Sequence, residues 1–257
     1  MIEVNNDIIN TGTAKMKPVI RVIGLHKSFG STVVLNGVEL TVHEGENLVV
    51  LGKSGSGKSI TIKCLVGLIA ADSGSINVFG KDISLLNAEE LNAVRLKVGF
   101  LFQNAALYDS MTVRENLEFP LKRHSKHLNV REVNDAVMEA LESVGLAEAV
   151  DKMPAELSGG MRKRIGLART LILKPEIILY DEPTTGLDTI TSREISDLIL
   201  AIQKKNKTSS MIITHDMACA KLTGDRIVIL KDGVIHAEGT YEILETSKDS
   251  WVRSFFI

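Results

Sequence analysis

The 257-residue sequence has no apolar run that approaches the ~18–20 residues needed to cross a bilayer. Its first residues, MIEVNNDIINTGTAKMK, are acidic and polar where a secretory signal would carry an apolar core. The formal net charge is only −2, so no global basic field would attract nucleic acid or anionic lipid. These absences predict a cytosolic protein, or a peripheral one that reaches the cytosolic face of a membrane through a partner.

Cysteines are equally scarce. The two present, Cys64 and Cys219, lie far apart and do not have the spacing of metal ligands. Isolated cysteines of this kind are typical of small buried side chains in a reducing compartment. The basic run Lys122–His127 lacks interleaved aromatic residues, so we interpret it as a solvated loop and expect no nucleic-acid partner.

Short apolar segments separated by turn signals indicate an α/β fold. We expect a weakly ordered tail over residues 1–17, followed by a single domain over 18–257. Alternating stretches over 19–42 predict a small antiparallel β layer. The turn signals that divide this layer are Phe29-Gly30-Ser31, Asn36-Gly37 and Glu44-Gly45. Residues 47–51 form a continuous apolar run, as in a strand buried on both faces, and lead into a glycine-rich turn and a helix.

The middle of the chain, about 104–173, is interpreted as a helical insertion. Apolar residues at Val133, Val137, Leu141 and Val144 fall on one helical face, and Gly145 is a plausible stop. The α/β alternation then returns, followed by a C-terminal segment over 241–257. The expected later elements are a strand over 177–180, a helix over 189–205, a strand over 210–214 and a hairpin over 227–237.

The glycine-rich turn, Gly52-Lys53-Ser54-Gly55-Ser56-Gly57-Lys58-Ser59, fits the P-loop pattern between a strand and a helix. Glycines let successive N–H groups surround phosphate oxygens, and the helix N-terminus favours an anion. Lys58 can reach the terminal phosphates and Ser59 can ligate Mg²⁺. Residues 52–60, which end at Ile60, are therefore candidate ATP-binding residues of a RecA-like P-loop NTPase core.

A second apolar strand ends in two acids, Asp181 and Glu182. The carboxyl end of a parallel strand lies at the ligand-binding edge of an α/β sheet. We expect Asp181 to hold Mg²⁺ and Glu182 to act as the general base that polarises the attacking water. These two motifs leave kinases, GTPases and many ATPases open.

A third motif, Leu157-Ser158-Gly159-Gly160-Met161, begins a helix within the insertion. Ser158 is a good N-cap, and the two glycines leave backbone amides exposed at the helix N-terminus. This second phosphate-binding surface, placed before the Asp181 strand, resembles the signature motif of ABC transporter ATPases. The resemblance covers about residues 19–240. It implies a P-loop core with an antiparallel β subdomain and a helical signature-motif subdomain.

The resemblance also assigns roles to residues that would mean little alone. Gln103 is similar to the Q-loop glutamine that contacts Mg²⁺ and the attacking water, and His215 to the switch histidine that bonds the γ-phosphate. Gly186-Leu187-Asp188 resembles the D-loop, which crosses to the partner subunit. Phe29 stands where the family stacks an aromatic ring on adenine, although a core phenylalanine in the β layer is the alternative.

The implied mechanism needs two copies. In this family, two ATP molecules lie between two subunits arranged head to tail. Each site then combines the P-loop, Gln103, Asp181, Glu182 and His215 of one copy with Ser158 and Gly160 of the other. We accordingly expect a homodimer that binds ATP and Mg²⁺. Membrane permease subunits would dock at a groove beside the Q-loop, with Tyr108 and Met111 as candidate contacts and core packing as the alternative.

Further details resemble the ATPases of MCE-type phospholipid transporters. They are the run Leu101–Val113, the segment Glu115–Leu121, the residues Arg162-Lys163-Arg164 after the signature motif, and the ending Trp251–Phe256. We interpret 162–164 as the solvated side of the signature helix, with Ile165, Ala168 and Leu171 inward. Trp251 and Phe255 are expected to pack on their own domain.

This resemblance implies a peripheral ATPase on the cytoplasmic side of the inner membrane that energises phospholipid transport with an MCE-domain partner. The alternatives are an ATPase subunit of another importer or exporter, or a soluble ABC ATPase. The latter usually carries two ATPase halves or a long coiled coil, whereas this chain has one P-loop and no sustained heptads.

Overall fold

The computed structural model describes residues 17–125 and 127–256. Residues 1–16 of the expected N-terminal tail lie outside this range. The strands are β1 Pro18–Phe29, β2 Thr32–His43, β3 Asn47–Leu51, β4 Ser73–Val78, β5 Lys81–Asp82, β6 Val98–Leu101, β7 Ile177–Asp181, β8 Ser209–Ile213, β9 Arg226–Lys231 and β10 Val234–Gly239. The helices are α1 Lys58–Leu65, α2 Ala88–Leu96, α3 Val113–His124, α4 Val130–Ser143, α5 Gly159–Leu171, α6 Thr189–Asn206, α7 Met217–Thr223, α8 Tyr241–Glu245 and α9 Ser250–Arg253.

The central sheet has the strand order β10-β9-β3-β8-β7-β6. From β9 to β6 all neighbours are parallel, and β10 closes the edge as an antiparallel hairpin partner of β9. Alternate residues of the buried strands face two separate cores. Val49 and Leu51 pack in the core beneath α3–α7, whereas Leu48 and Val50 pack towards α1 and the β layer. The continuous apolar runs are thus explained by burial on both faces.

The antiparallel layer has the order β2-β1-β4-β5. The prediction that Asn36-Gly37 divides two strands is wrong, because β2 runs unbroken through it. The register passes from Leu25 opposite Val38 to His26 opposite Asn36, so Gly37 is the extra residue of a β-bulge. Strand β4 and helix α2 complete this side of the molecule and were not expected from the sequence.

Helices α3, α4 and α5 form the expected insertion between β6 and β7. The α4 stripe is as predicted, with Val137 and Leu141 fully buried and Gly145 following the helix at φ +69°. The basic run is not simply a loop, since Lys122, Arg123 and His124 form the last turn of α3. Lys126 of that run lies outside the described residues.

An ion pair joins the two sheets at their common base. Arg226 on β9 donates to both carboxylate oxygens of Glu46, at 2.7 and 3.0 Å, and also to the carbonyl of Thr41 on β2. The Arg226 contacts hold the pKa of Glu46 below its ordinary value although burial opposes this. The antiparallel layer is thereby fixed against the end of β3 that is opposite the P-loop.

Cys64 and Cys219 are both buried, as predicted. Across residues 17–125 and 127–256, no helix combines the length and the apolar character needed to cross a membrane.

Candidate functional site

The carboxyl ends of four parallel strands bring the predicted site residues to one edge of the sheet. The P-loop follows β3, Gln103 follows β6, Asp181 ends β7 with Glu182 next in the chain, and His215 follows β8. Strands β3, β8, β7 and β6 are consecutive neighbours, so these four connections lie side by side. This is the edge at which parallel α/β sheets bind ligands.

A single cleft of about 880 Å³ lies over this edge, which is large enough for a nucleotide. It is lined by Phe29, Val34, Gly52, Lys53, Ser54, Gly55, Gly57, Lys58, Ser59, Ile60, Gln103, Glu182, His215 and Phe255. The structure therefore brings together nearly all of the candidate ATP-binding residues of one subunit. Ser56, the exception within the P-loop, is half-buried, and its buried hydroxyl oxygen lies so near Gly52 that a Cβ there would stand 2.6 Å from it.

Strand β2 and the main chain of the P-loop lie very close together at Gly57. Gly57 has φ +103°, a conformation that side chains disfavour, and it immediately precedes α1. A Cβ on Gly57 would stand 2.6 Å from Leu35 Cδ2 and 2.9 Å from the Val34 carbonyl oxygen. Strand β2 thus packs directly on the loop, and the amides at the start of α1 remain open to an anion.

The Lys58 ammonium lies across the loop to which it belongs. It donates to the carbonyl oxygens of Gly52 at 2.8 Å and Lys53 at 3.1 Å. Burial lowers the pKa of Lys58, while the carboxylates of Glu182 and Asp181 act in the opposite direction. The positive charge is therefore fixed at the floor of the cleft beside two acidic side chains.

Asp181 and Ser59 provide hard oxygen donors of the kind that Mg²⁺ prefers. The Ser59 hydroxyl, which lines the cleft, donates to Asp181 Oδ1 at 2.9 Å, and Asp181 itself is buried next to it without lining the cleft. Burial raises the pKa of Asp181, partly offset by the Ser59 hydrogen bond. The described residues contain no group of three His, Cys, Asp or Glu side chains arranged for a metal ion. The donor set fits Mg²⁺, which is usually held by one or two carboxylates together with substrate phosphates.

Glu182 and His215 form a direct pair at the mouth of β7 and β8. His215 Nδ1 lies 2.7 Å from Glu182 Oε2, and the Thr185 hydroxyl donates to the same oxygen at 3.0 Å. Both partners use Oε2, and no hydrogen bond to Glu182 Oε1 is found among the described residues. The Glu182 backbone adopts φ +53°, which is rare for a residue with a long side chain.

The interpretation of Lys163 as a solvated residue is wrong. Lys163 is only 5% exposed, and its ammonium donates to the main-chain carbonyls of Gln103 and Glu182, the latter at 3.0 Å. Arg164 behaves as expected, since it pairs with Glu194 at the surface at 2.6 Å. Lys163 is the main residue at this site that sequence reasoning missed.

The signature residues lie outside the cleft and against the D-loop of the same chain. Ser158 caps α5 by accepting a hydrogen bond from the Met161 amide at 3.2 Å. Asp188 caps α6 in the same way, accepting from the Thr191 amide at 3.0 Å. Leu157 is buried, and Gly159 lies beside Leu187 of the D-loop. Of Leu157–Met161, none lines the cleft over the P-loop.

Aromatic rings stand at the rim of the cleft. Phe29 is 49% exposed with the Lys27 ammonium 5.4 Å from its ring centre, so the alternative of a core phenylalanine does not hold. Phe255 also lines the cleft. As expected, Trp251 and Phe255 pack on their own chain, with ring centres 5.0 Å apart and Trp251 edge-on to His236.

A groove beside the Q-loop lies between α2, α3 and α5. Tyr108 lines this groove, and its ring centre lies 5.1 Å from that of Phe119. Met111 is not among the residues that line the groove. Phe100 and Phe102 are half-buried beside the Q-loop. Their rings stack at 4.1 Å and form part of the groove wall.

Comparison with known proteins adds to this geometry. The profile of the family described as ABC transporter matches residues 35–185. The chain belongs to the ABC transporter family. The family match and the solved cassettes described below identify its activity as the ATP hydrolysis that drives an ABC transporter.

Curated relatives are similar over nearly the whole chain. The probable ribonucleotide transport ATP-binding protein mkl of Mycobacterium leprae is 43% identical over 95% of this chain and 70% of its own length. Protein TRIGALACTOSYLDIACYLGLYCEROL 3, chloroplastic, of Arabidopsis thaliana is 38% identical over 90% of this chain and 71% of its own. The methionine import ATP-binding protein MetN of Rhizobium johnstonii is 40% identical over 88% of this chain and 62% of its own length. The chain thus spans about two thirds of the length of these relatives.

Solved structures confirm the predicted fold. An ATP-binding cassette whose dimer holds ADP and Pi in a post-hydrolysis state superimposes with a TM-score of 0.78 and 31% identity. The match covers 86% of this chain and 98% of that one. The cbiO1 protein of Clostridium perfringens, part of the ABC transporter complex cbiONQ, gives a TM-score of 0.80 at 28% identity, over 87% and 89%.

Proposed function

We propose that this chain is the ATP-hydrolysing subunit of a lipid transporter and works as a homodimer on the cytoplasmic face of the inner membrane. The observation that carries the dimer is the division of the site. Lys58, Ser59, Gln103, Glu182 and His215 share one cleft, while the amides of Ser158–Gly160 lie elsewhere on the same chain. A second copy, placed head to tail, would bring those amides to the phosphates.

Each residue of the cleft has a distinct role in this proposal. The P-loop amides and the Lys58 ammonium bind the β- and γ-phosphates, and Phe29 offers its exposed ring to the adenine. Ser59, Asp181 and Gln103 would hold Mg²⁺, which when bound neutralises negative charge on the phosphate oxygens. Glu182 Oε1 accepts the proton of the attacking water.

The His215 contact constrains the position of its protons. A carboxylate can only accept, so Nδ1–H of His215 must donate to Glu182 Oε2. The ring can then also donate from Nε2 to a γ-phosphate oxygen only when it carries a second proton. We propose that His215 acts in this doubly protonated form when it contacts the nucleotide.

The lipid substrate rests on two supports. The sequence after the Q-loop and signature motifs resembles MCE-type transporter ATPases. The Arabidopsis relative is named after a galactolipid, whereas two other relatives are named for ribonucleotide transport and methionine import. Permease subunits would dock at the groove lined by Tyr108 and Phe119, with Met111 outside it. An MCE-domain protein is the proposed lipid-binding partner.

The decisive test of the motor is Glu182→Gln. We expect turnover to fall by about 10²–10⁴-fold, the range typical of a lost general base, while ATP binding persists. In size-exclusion chromatography with light scattering, this variant should be dimeric with Mg·ATP and monomeric with Mg·ADP. The control is Lys58→Ala/Glu182→Gln, which should stay monomeric with either nucleotide. A monomeric Glu182→Gln protein at saturating Mg·ATP would overturn the two-copy model.

The substrate is tested with the purified complex. Membrane subunits that copurify with this chain should carry glycerolipid detectable by mass spectrometry after solvent extraction. Stimulation of the ATPase by methionine or by a ribonucleotide, with no lipid enrichment, would contradict the proposed cargo.

A further inference from the structure

Helix α5 begins with the signature glycines, but its second turn faces the catalytic edge of the same chain. Lys163 lies there with its side chain extended between the Q-loop and the end of β7. Its ammonium donates to the carbonyl oxygen of Gln103 on one side and to that of Glu182, at 3.0 Å, on the other. Lys163 is the only side chain in the described ranges that bonds the main chain at both positions.

Burying this ammonium has a free-energy cost that ordinary surface lysines avoid. Burial lowers the pKa of Lys163, and the nearby carboxylates of Glu182 and Asp181 oppose the shift. No carboxylate lies within ion-pair distance of Lys163 among the described residues, so neutral carbonyl oxygens satisfy the charge. A methionine of similar length would fill the same space at lower cost, so packing alone does not account for lysine here.

The rest of this face of α5 also holds the Q-loop main chain. Arg169 donates to the carbonyls of Ala105 and Ala106, both of which have left-handed backbones at φ +58° and +50°. A Cβ on Gly166 would stand 2.8 Å from Ala105 Cβ, so the helix and loop are in direct contact. Lys163 extends this attachment from the Q-loop to the catalytic strand.

Glu182 has few other restraints on its backbone. Its amide donates to Ile213 of β8 at 2.9 Å, and its carbonyl accepts weakly from the Thr185 amide at 3.3 Å. The residue is held at φ +53°, outside the conformations that its side chain prefers. A charge-assisted bond to its carbonyl fixes the peptide plane that follows, and so fixes the direction of the carboxylate.

We propose that Lys163 is a positioning residue that sets the main chain of Glu182 relative to that of Gln103. It thereby aims the carboxylate at the attacking water in its own subunit. This inference rests on the proposed role of Glu182. It assigns to the helix that presents the signature motif a second task, at the nucleotide site of the chain that carries it.

The test is steady-state ATP hydrolysis by Lys163→Met, beside nucleotide affinity and thermal stability. We expect kcat to fall by about ten- to hundredfold, as for a misplacement of the order of an ångström, with KM for ATP changed less than about threefold. Lys163→Arg, which keeps donors for both carbonyls, should retain kcat within about threefold. Lys174→Met, which removes an 82% exposed lysine just beyond α5, is the matched control and should behave like the wild type.

A double-mutant cycle separates positioning from a general loss of structure. If Lys163 acts through Glu182, then Lys163→Met in the Glu182→Gln background should lower the residual single-turnover rate by less than about threefold. The same ten- to hundredfold loss in both backgrounds would overturn the inference. So would a Lys163→Met enzyme with wild-type kcat.

If Lys163→Met lowers the melting temperature by more than about 5 °C, beyond a typical single-site effect, Lys163→Gln replaces it because its amide keeps one donor in the site. The expected kcat loss is then about three- to tenfold, and an unchanged kcat counts against the inference. Failure of the proposed function has a different signature. In that case Glu182→Gln itself would keep wild-type turnover, whatever the Lys163 variants do.

Discussion

Gly160 lies so close to Thr191 that a Cβ at position 160 would stand 2.6 Å from Thr191 Cγ2. The neighbouring Gly159 has more room, since a Cβ there would meet Leu187 Cδ2 at 3.5 Å, an ordinary contact. The two glycines of the signature motif therefore differ. The chain's own packing requires glycine at position 160 but not at position 159, where any requirement must come from outside the chain.

Gly159→Ala tests that external requirement. Because alanine is the better helix former and has space in α5, the free energy of unfolding should be unchanged or rise by up to about 1 kcal/mol. ATPase activity should nevertheless fall by about tenfold or more, because the new methyl group lies on the surface proposed to meet the partner's phosphates. Urea unfolding and steady-state hydrolysis measure the two quantities. Wild-type turnover in this variant would show that nothing approaches Gly159 closely.

Gly160→Ala should destabilise the chain by about 1–3 kcal/mol, as expected when a methyl group is forced into a packed contact. Thr191→Ser removes the clashing Cγ2, so the double variant should recover most of the lost stability. If the position also faces a partner, activity should remain low after stability is restored. Recovery of both together would assign the defect to packing within one chain.

Asp181→Asn should separate stability from Mg²⁺ binding. Burial raises the pKa of Asp181, so the folded state binds its proton more tightly than the unfolded state does. As the pH rises from the ordinary pKa of 3.8 through the higher folded pKa, ionisation of Asp181 therefore lowers the free energy of unfolding. The asparagine variant lacks this loss and should melt at the same or a higher temperature at neutral pH without nucleotide.

The same variant should lose the stabilisation by Mg·ATP, which for the wild type is about 2.7 kcal/mol at a hundred times Kd. Melting curves between pH 5 and 8, with and without Mg·ATP, provide the measurement. A variant that melts well below the wild type without ligand would contradict the sign of the Asp181 contribution.

Asn116→Ala should destabilise the loop beyond the Q-loop. The buried Asn116 amide donates to the carbonyls of Tyr108, Met111 and Thr112, and its oxygen accepts from the Tyr108 amide at 2.8 Å. Removing it leaves the Tyr108 amide and the Met111 carbonyl without this partner, whereas the carbonyls of Tyr108 and Thr112 keep main-chain donors. The expected cost is about 1–3 kcal/mol. The exposed Asn134, whose only side-chain bond in the described ranges is to Arg114, is the matched control. Asn134→Ala should cost less than about 0.5 kcal/mol in a denaturant titration.

The strands that lead into the P-loop and into Asp181, and the catalytic edge that they form, were predictable because their signals are local. A short apolar run ending in Asp181-Glu182, or in a glycine-rich turn, must place those residues where parallel strands end. Helix α4 was equally readable, since it packs on one side only and Val137 and Leu141 mark that side.

For helix α5 the prediction from a single apolar stripe fails, because this helix is packed on two sides. Ile165, Ala168 and Leu171 face the helical core as expected. A second stripe at 163, 166 and 169 faces the Q-loop, and its members are a lysine, a glycine and an arginine that no hydrophobic period would identify. The acceptors for these side chains are main-chain carbonyls far away in the sequence, so the residue types of their partners carry no signal. The turn predicted at Gly37 is wrong for a related reason, since glycine is found in β-bulges as well as in turns.

Helix α5 is 13 residues long, about 20 Å from end to end. Its first turn carries the amides proposed for the partner's nucleotide, and Lys163 in its second turn grips the main chain of its own subunit's base. A helix this short moves as a rigid body. In the proposed dimer each α5 would therefore contact both nucleotide sites, so a displacement of this helix at one site would be transmitted to the other.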